Sequence, residues 1–168
     1  IKNCFLKDID KKFSNLFVLP NAIQRRLLNK PKKIKQVLFI GRLVPEKGCD
    51  LFVDAIKDIV KDFPEWKFKI IGTPKAGQKK ISDAYAKNLI NEFMSLGENV
   101  DYLGFVSNEN VNKILEKTAI LVVPSIWQEP FALTALEGIS NGAAVIASKV
   151  GGMSEMLKDS GYLIDDIN

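Results

Sequence analysis

The stretch LVVPSIWQEPFALTALEGISNG, Leu121 to Gly142, decides the fold. An apolar, β-branched run closes on Pro124-Ser125, a short loop carries Glu129 and Pro130, and an apolar-periodic segment runs on to Asn141-Gly142. This is the order strand, loop, helix. A residue before proline is pushed into extended backbone, so Glu129 is expected on the loop. Pro130 suits a first helical turn, where its missing N–H costs nothing. The helix is expected over 131–140, stopped by Asn141-Gly142.

The amino-terminal end of that helix points its N–H groups and positive dipole at the Glu129 loop, which suits an anion. Glu137 follows Glu129 after seven intervening residues. Three and four positions from Glu137 stand Leu133, Thr134, Ser140 and Asn141, none of them a cation. A carboxylate among Leu133, Leu136 and Ile139 is costly to bury unless something offsets its charge. Two readings stay open: a solvated charge on an exposed helix face, or an acceptor for ligand hydroxyls.

Working outward, apolar period and Gly/Pro punctuation alternate between strand and helix. Strands are expected at 16–19, 36–41, 66–71, 100–103, 119–123, 144–147 and 162–164. Helices are expected at 49–63, 81–96, 108–117, 131–140 and 152–157. Such alternation predicts an α/β domain, a Rossmann-like parallel sheet with helices on both faces. Ligands in these sheets bind beyond the carboxyl ends of the strands. Arg42, Gly72, Gly104, Ser125, Glu129 and Gly151 all fall at those ends.

GRLVPEKG, Gly41 to Gly48, follows a strand directly. Arg42 and Lys47 straddle a short turn and can converge above the strand end, where a guanidinium and an ammonium suit a diphosphate. The alternative is two solvated loop cations. The spacing is neither a P-loop nor a GxGxxG. Gly151-Gly152 after the 144–147 strand allows close backbone approach to a ligand, or simply a tight turn with Glu155 in the first turn of a helix. Trp127 and Phe131 are read as packing residues ahead of sugar-stacking platforms.

The chain has 168 residues, 46% hydrophobic and 26% charged, which suits one soluble domain with a full core. No apolar run reaches the length of a membrane span, and no signal peptide is visible. The absence of histidine excludes histidine-based general-base catalysis and histidine-ligated metal within this chain. Cys4 and Cys49 make neither a disulfide framework nor a metal spacing. The net charge is +4, with Lys30, Lys32, Lys33 and Lys35 as its densest run. That run reads as a solvated loop, or as attraction to an anionic membrane surface. No aromatics interleave with it, so nucleic acid is not expected as a partner.

GRLVPEKG, a strand ending IIG, YLGFVS, and VVPSIWQEPFALTALEGISNGAAVIASKVGGMSEML together resemble the carboxy-terminal donor-binding domain of retaining GT-B glycosyltransferases with an E-x7-E motif (glycosyltransferase family 4, glycosyl transferases group 1). The resemblance runs from about residue 18 to 164. It implies that Arg42 and Lys47 bind the donor diphosphate, that Glu129 contacts donor-sugar hydroxyls, and that Glu137 binds the ribose. It implies that Phe131, Ala132 and Leu133 offer helix-start amides to sugar and phosphate, that Phe105 and Val106 flank the base, and that Gly41 and Gly72 line the donor site. Pro20-Asn21 matches a PNG motif, with Ala22 where glycine is usual. Thr73-Pro74 departs from the second glycine that often follows IIG.

The implied organisation is an interdomain connector and edge segment over 1–22 and a nucleotide-sugar donor domain over 23–168. The chain begins at Ile1, and the acceptor domain is expected outside it. The expected activity is transfer of a hexose from a nucleotide diphosphate sugar to a glycan or lipid-linked acceptor. Lipopolysaccharide, capsule or other surface-polysaccharide synthesis is the expected setting. No cofactor or metal is implied, and the expected location is cytoplasmic, up to the inner face of the membrane. The rivals are a non-catalytic nucleotide or sugar-phosphate binding module and a nucleotide-sugar epimerase on a related fold.

Overall fold

A run of four buried residues, Gln36 to Phe39, makes the centre of the first strand unreadable as an amphipathic edge. It belongs inside a sheet covered on both sides. The computed structural model describes residues 21–23, 32–75, 83–158 and 160–165. The expected strand at 16–19 and nearly all of the expected connector at 1–22 lie outside them.

The elements are β1 (Ile34–Ile40), a single 3-10 turn (Pro45–Lys47), α1 (Cys49–Ile59), β2 (Lys67–Ile71), α2 (Ala84–Ser95), β3 (Val100–Gly104), α3 (Asn108–Lys117), β4 (Thr118–Val123), α4 (Leu133–Ser140), β5 (Ala144–Ser148), α5 (Met153–Leu157) and β6 (Tyr162–Ile164). The six strands form one sheet in the order β3-β2-β1-β4-β5-β6, with every pairing parallel. The sheet is the Rossmann-like α/β arrangement expected.

Alternate residues of β1 feed two cores, as strand geometry requires. Val37 and Phe39 join Phe52, Val53, Ile56, Leu89 and Phe93 of α1 and α2 on one face. Leu38 joins Leu115 of α3, Ala135 of α4 and Met153 and Leu157 of α5 on the other. A buried polar link crosses the middle of the sheet: Gln36 Nε2 donates to Thr118 Oγ1 at 2.7 Å.

The largest departures from expectation are at two helix ends. α1 stops at Ile59, because Phe63 precedes Pro64 and is turned out of helical backbone. α2 begins at Ala84, where the Asp83 side chain accepts from Ala86 N at 3.0 Å and caps the first turn.

The order matters more than the ends. From β1 the chain builds outward to β2 and β3, then returns to the opposite side of β1 for β4. The strand order therefore reverses between β1 and β4. The loops leaving these neighbours part there and open a crevice.

Candidate functional site

The loops around that crevice are bonded to one another before any ligand is considered. The turn after β1 meets the loop after β4 at Glu46, whose carbonyl accepts from Ile126 N at 3.1 Å and Trp127 N at 3.3 Å. The turn after β2 meets the turn after β1 at Gly72. There φ is +145° and a Cβ would lie 1.7 Å from Gly41 O, so only glycine fits. Gly72 N donates to Gly104 O at 2.9 Å, and Tyr102 OH donates to Gly72 O at 2.9 Å. Gly72 thus stacks three strand ends, with Thr73-Pro74 following it.

The paired glycines after β5 serve the Glu129 loop. A Cβ on Gly151, at φ +55°, would lie 2.2 Å from Glu129 O. Gly152 N donates to Glu129 O at 2.7 Å, and Gly151 N donates to Gln128 Oε1 at 2.9 Å. Their close approach is to the chain's own backbone. This clamp also corrects the expected helix start. Residues 128–130 lie across the glycine turn, Ala132 has φ −87° and ψ +88°, and α4 begins at Leu133. Phe131 and Pro130 are outside the helix. No side chain caps α4 at Ala132, so its first amides are left to the crevice.

Two hollows flank this arrangement. The first, about 230 Å³, is lined by Gly41, Lys47, Ser125, Glu129, Phe131, Ala132, Leu133 and Thr134 among others. The second, about 250 Å³, is lined by Gly41, Arg42, Gly72, Thr73, Phe105, Val106, Asn108, Thr134 and Glu137 among others. Ile40, Gly41 and Thr134 belong to both. Every residue to which the family resemblance gives a donor-site role therefore lines one of two adjoining hollows at the switch point.

Arg42 is exposed on the second hollow, and Lys47 lines the adjoining first one. Lys47 Nζ forms an ion pair with Glu129 Oε1. Ser125 Oγ donates to the same oxygen at 2.9 Å. The two ionic side chains are only 27% and 11% exposed, so the pair is shielded from water more than a surface bridge would be. Glu137 is half-buried on α4 and lines the second hollow. Trp127 is 58% exposed and is not a packing residue of the described fold.

Two contributors, Thr134 and Gln128, and one bond of a third escape a reading of the sequence. Thr134 lies between the two glutamates in the chain and forms part of both hollows. Ser125 is expected at a strand end, but nothing in its neighbours announces the bond to Glu129. Gln128 holds the glycine turn. Only their spacing around Glu129 signals them in one dimension.

Cys49 is fully buried beneath the turn, and its thiol donates toward Arg42 O at 3.3 Å. Burial pushes that thiol up to about 12, so it is not a nucleophile at neutral pH. Among the described residues no cluster of three or more His, Cys, Asp or Glu could hold a metal. No described helix is long and apolar enough to cross a membrane.

A parallel sheet whose loops gather an ion pair, a second carboxylate and an open helix end at the strand-order reversal defines a Rossmann-like ligand-binding domain. The family profile described as glycosyl transferases group 1 matches residues 21–168, and the chain belongs to that family. It is 35% identical over 155 residues to an uncharacterized glycosyltransferase of Methanocaldococcus jannaschii, covering 92% of this chain and 40% of that protein. It is 30% identical over 161 residues to the lipopolysaccharide 1,2-N-acetylglucosaminetransferase of Salmonella typhimurium, covering 89% of this chain and 42% of that protein. Among solved structures, S. aureus TarM, crystallised as a mutant with fondaparinux, alpha-GlcNAc-glycerol and UDP, matches with TM-score 0.75 and 27% identity over 99% of this chain and 32% of that one. The chain thus spans about two fifths of the length of these curated relatives.

Proposed function

We propose that this chain is the donor-binding half of a retaining glycosyltransferase that moves a hexose from a nucleotide diphosphate sugar to a glycan or lipid-linked acceptor. The observation that carries this reading is the placement of Glu129 and Glu137 on adjoining hollows that share Gly41 and Thr134. One hollow takes the sugar and diphosphate, and the other takes the nucleoside. Glu129 accepts sugar hydroxyls and Glu137 accepts ribose hydroxyls. Phe105 and Val106 flank the base, and the open start of α4 faces the phosphates.

Transfer breaks the bond between the anomeric carbon and the diphosphate oxygen. The electron pair leaves with the diphosphate, and the acceptor hydroxyl bonds the same face of the sugar and passes its proton to the departing diphosphate oxygen. Arg42, Lys47 and the α4 amides favour that step by stabilising the negative charge that develops on the leaving group. The acceptor is bound by a domain outside this chain, so the chain alone binds a nucleoside diphosphate weakly and transfers nothing. The UDP held in the S. aureus TarM complex and the lipopolysaccharide activity named for the Salmonella relative support a nucleotide-sugar donor and a surface-glycan acceptor, and the location that goes with this reading is the cytoplasm, up to the inner face of the membrane. Calorimetry of the full-length protein with UDP and GDP, with a transfer assay on nucleotide sugars, tests the reading. No binding at millimolar nucleotide overturns it.

A further inference from the structure

Resting on the donor-site reading, a second residue of the Glu129 loop has a function of its own. Among the described residues, both partners of the Glu129 carboxylate use one oxygen: Lys47 Nζ and Ser125 Oγ meet at Oε1. Among the described residues Oε2 keeps its acceptor capacity. Ser125 is 1% exposed, and its Oγ lies 2.9 Å from Glu129 Oε1 and 3.2 Å from Glu46 O. A hydroxyl has a single hydrogen. Glu46 O already accepts from two backbone amides, so the hydrogen goes to the nearer, charged acceptor.

The ion pair creates a conflict. Lys47 is wanted by the diphosphate but is held by Glu129. When a diphosphate arrives it offers Lys47 more negative charge and more acceptors than one carboxylate does. If Lys47 turned away with nothing else on Oε1, a carboxylate 11% exposed would lose its partner, which is a costly state. We propose that Ser125 is a positioning residue for the donor sugar: it keeps the Glu129 carboxylate in place after Lys47 turns to the diphosphate, so that Oε2 meets the sugar hydroxyls. The Lys47–Glu129 pair is then the resting arrangement, and the Ser125–Glu129 bond is common to both states. Of Lys47 and the Glu129 carboxylate, a nucleoside diphosphate needs only Lys47. A nucleotide sugar needs Lys47 and the held carboxylate together.

The test is calorimetry on the full-length protein and its Ser125→Ala variant, which removes one oxygen from a buried site. The ligand pairs are UDP with UDP-N-acetylglucosamine, and GDP with GDP-mannose, using whichever pair the parent binds more tightly. The expected result is about a tenfold loss of nucleotide-sugar affinity, the worth of one hydrogen bond to a charged group. The nucleoside diphosphate should change less than about twofold, since its contacts do not include the carboxylate. Ser125→Cys, a near-isosteric weak donor, should fall between parent and alanine. Melting of each variant is measured alongside, and turnover should show a raised donor KM. Equal losses on both ligands, or loss on neither, overturns the inference while leaving the donor site standing. A parent that binds neither ligand overturns the donor-site reading itself, and this inference with it.

Discussion

The two hollows share a wall but are built in opposite ways. In the first, the ionic groups are bonded to each other: Lys47 and Ser125 hold Glu129, and the glycine turn after β5 holds the loop beneath it. In the second, side chains come from separate elements, with Arg42 and Phe105 exposed and Glu137 half-buried. The first is assembled by tertiary bonds and should respond to mutation through stability and binding together. The second is assembled by strand and helix placement, so its recognition side chains Arg42 and Glu137 should respond through binding alone, with Gly72 beneath them as the structural exception. The lesson is that one motif can carry a structural charge and a recognition charge eight positions apart.

The largest effects are expected where each hollow depends on a glycine. Gly151→Ala and Gly72→Ala each force a Cβ into a backbone oxygen at a positive φ. Each should cost about 2–4 kcal/mol of stability in urea unfolding. A loss below about 1 kcal/mol at Gly151 would break the view that the first hollow is clamped from below.

Lys47→Ala against Arg42→Ala separates the hollows most directly. Both should weaken UDP or GDP binding ten- to a hundredfold, the loss of a charge-assisted bond of roughly 1.5–3 kcal/mol. Only Lys47→Ala should also lower stability, by about 1–3 kcal/mol, because it strands a shielded carboxylate. Arg42→Ala, on an exposed side chain, should stay within about 0.5 kcal/mol of the parent. Equal stability losses in the two variants would erase the distinction.

Glu137→Gln tests the second hollow alone. It should fold normally and lose about 1–2 kcal/mol of nucleotide affinity. With a 2′-deoxy nucleoside diphosphate the loss should shrink, giving non-additivity in a double-mutant cycle. Additive losses would place Glu137 away from the ribose.

The smallest expected effect lies outside both hollows and serves as their control. Lys33 Nζ donates to Leu115 O at 3.1 Å and Asn141 O at 2.6 Å, tying together the carboxyl ends of α3 and α4. Burial pulls its ammonium below the ordinary lysine value of 10.5, with Glu116 opposing. A cation whose folded value is depressed binds fewer protons when folded. Its contribution to stability is therefore present above 10.5 and fades as pH falls through the folded value. Lys33→Met should lower stability by about 1 kcal/mol through the lost bonds, and its stability should rise less steeply than the parent's as pH approaches 10.5. Unfolding curves of the two proteins at several alkaline pH values check this, since other titrating groups cancel in the difference.

Much of this was legible in one dimension. α3 and β6 fall where apolar period placed them, Asn108–Lys117 and Tyr162–Ile164. The nominated residues gather at the crevice because strand ends in a parallel sheet all point one way. The start of α4 was not legible. Pro130 is a sound first-turn signal, but Gly152 N captures Glu129 O at 2.7 Å from twenty-three residues away and holds residues 128–130 out of the helix. The cap at Asp83 is hidden because the apolar period runs across it.

Sequence by itself determined the alternation of strand and helix, which follows from local period and punctuation, and the family and the residue types at the site, which follow from the resemblance of an ordered set of motifs. Tertiary structure alone decided that Lys47 pairs with Glu129 across eighty-two positions, that Ser125 shares its oxygen, and that Arg42 is in the other hollow. The reason is distance. Period and propensity act over a few residues, whereas the reversal of strand order between β1 and β4 brings together loops that no local rule can pair.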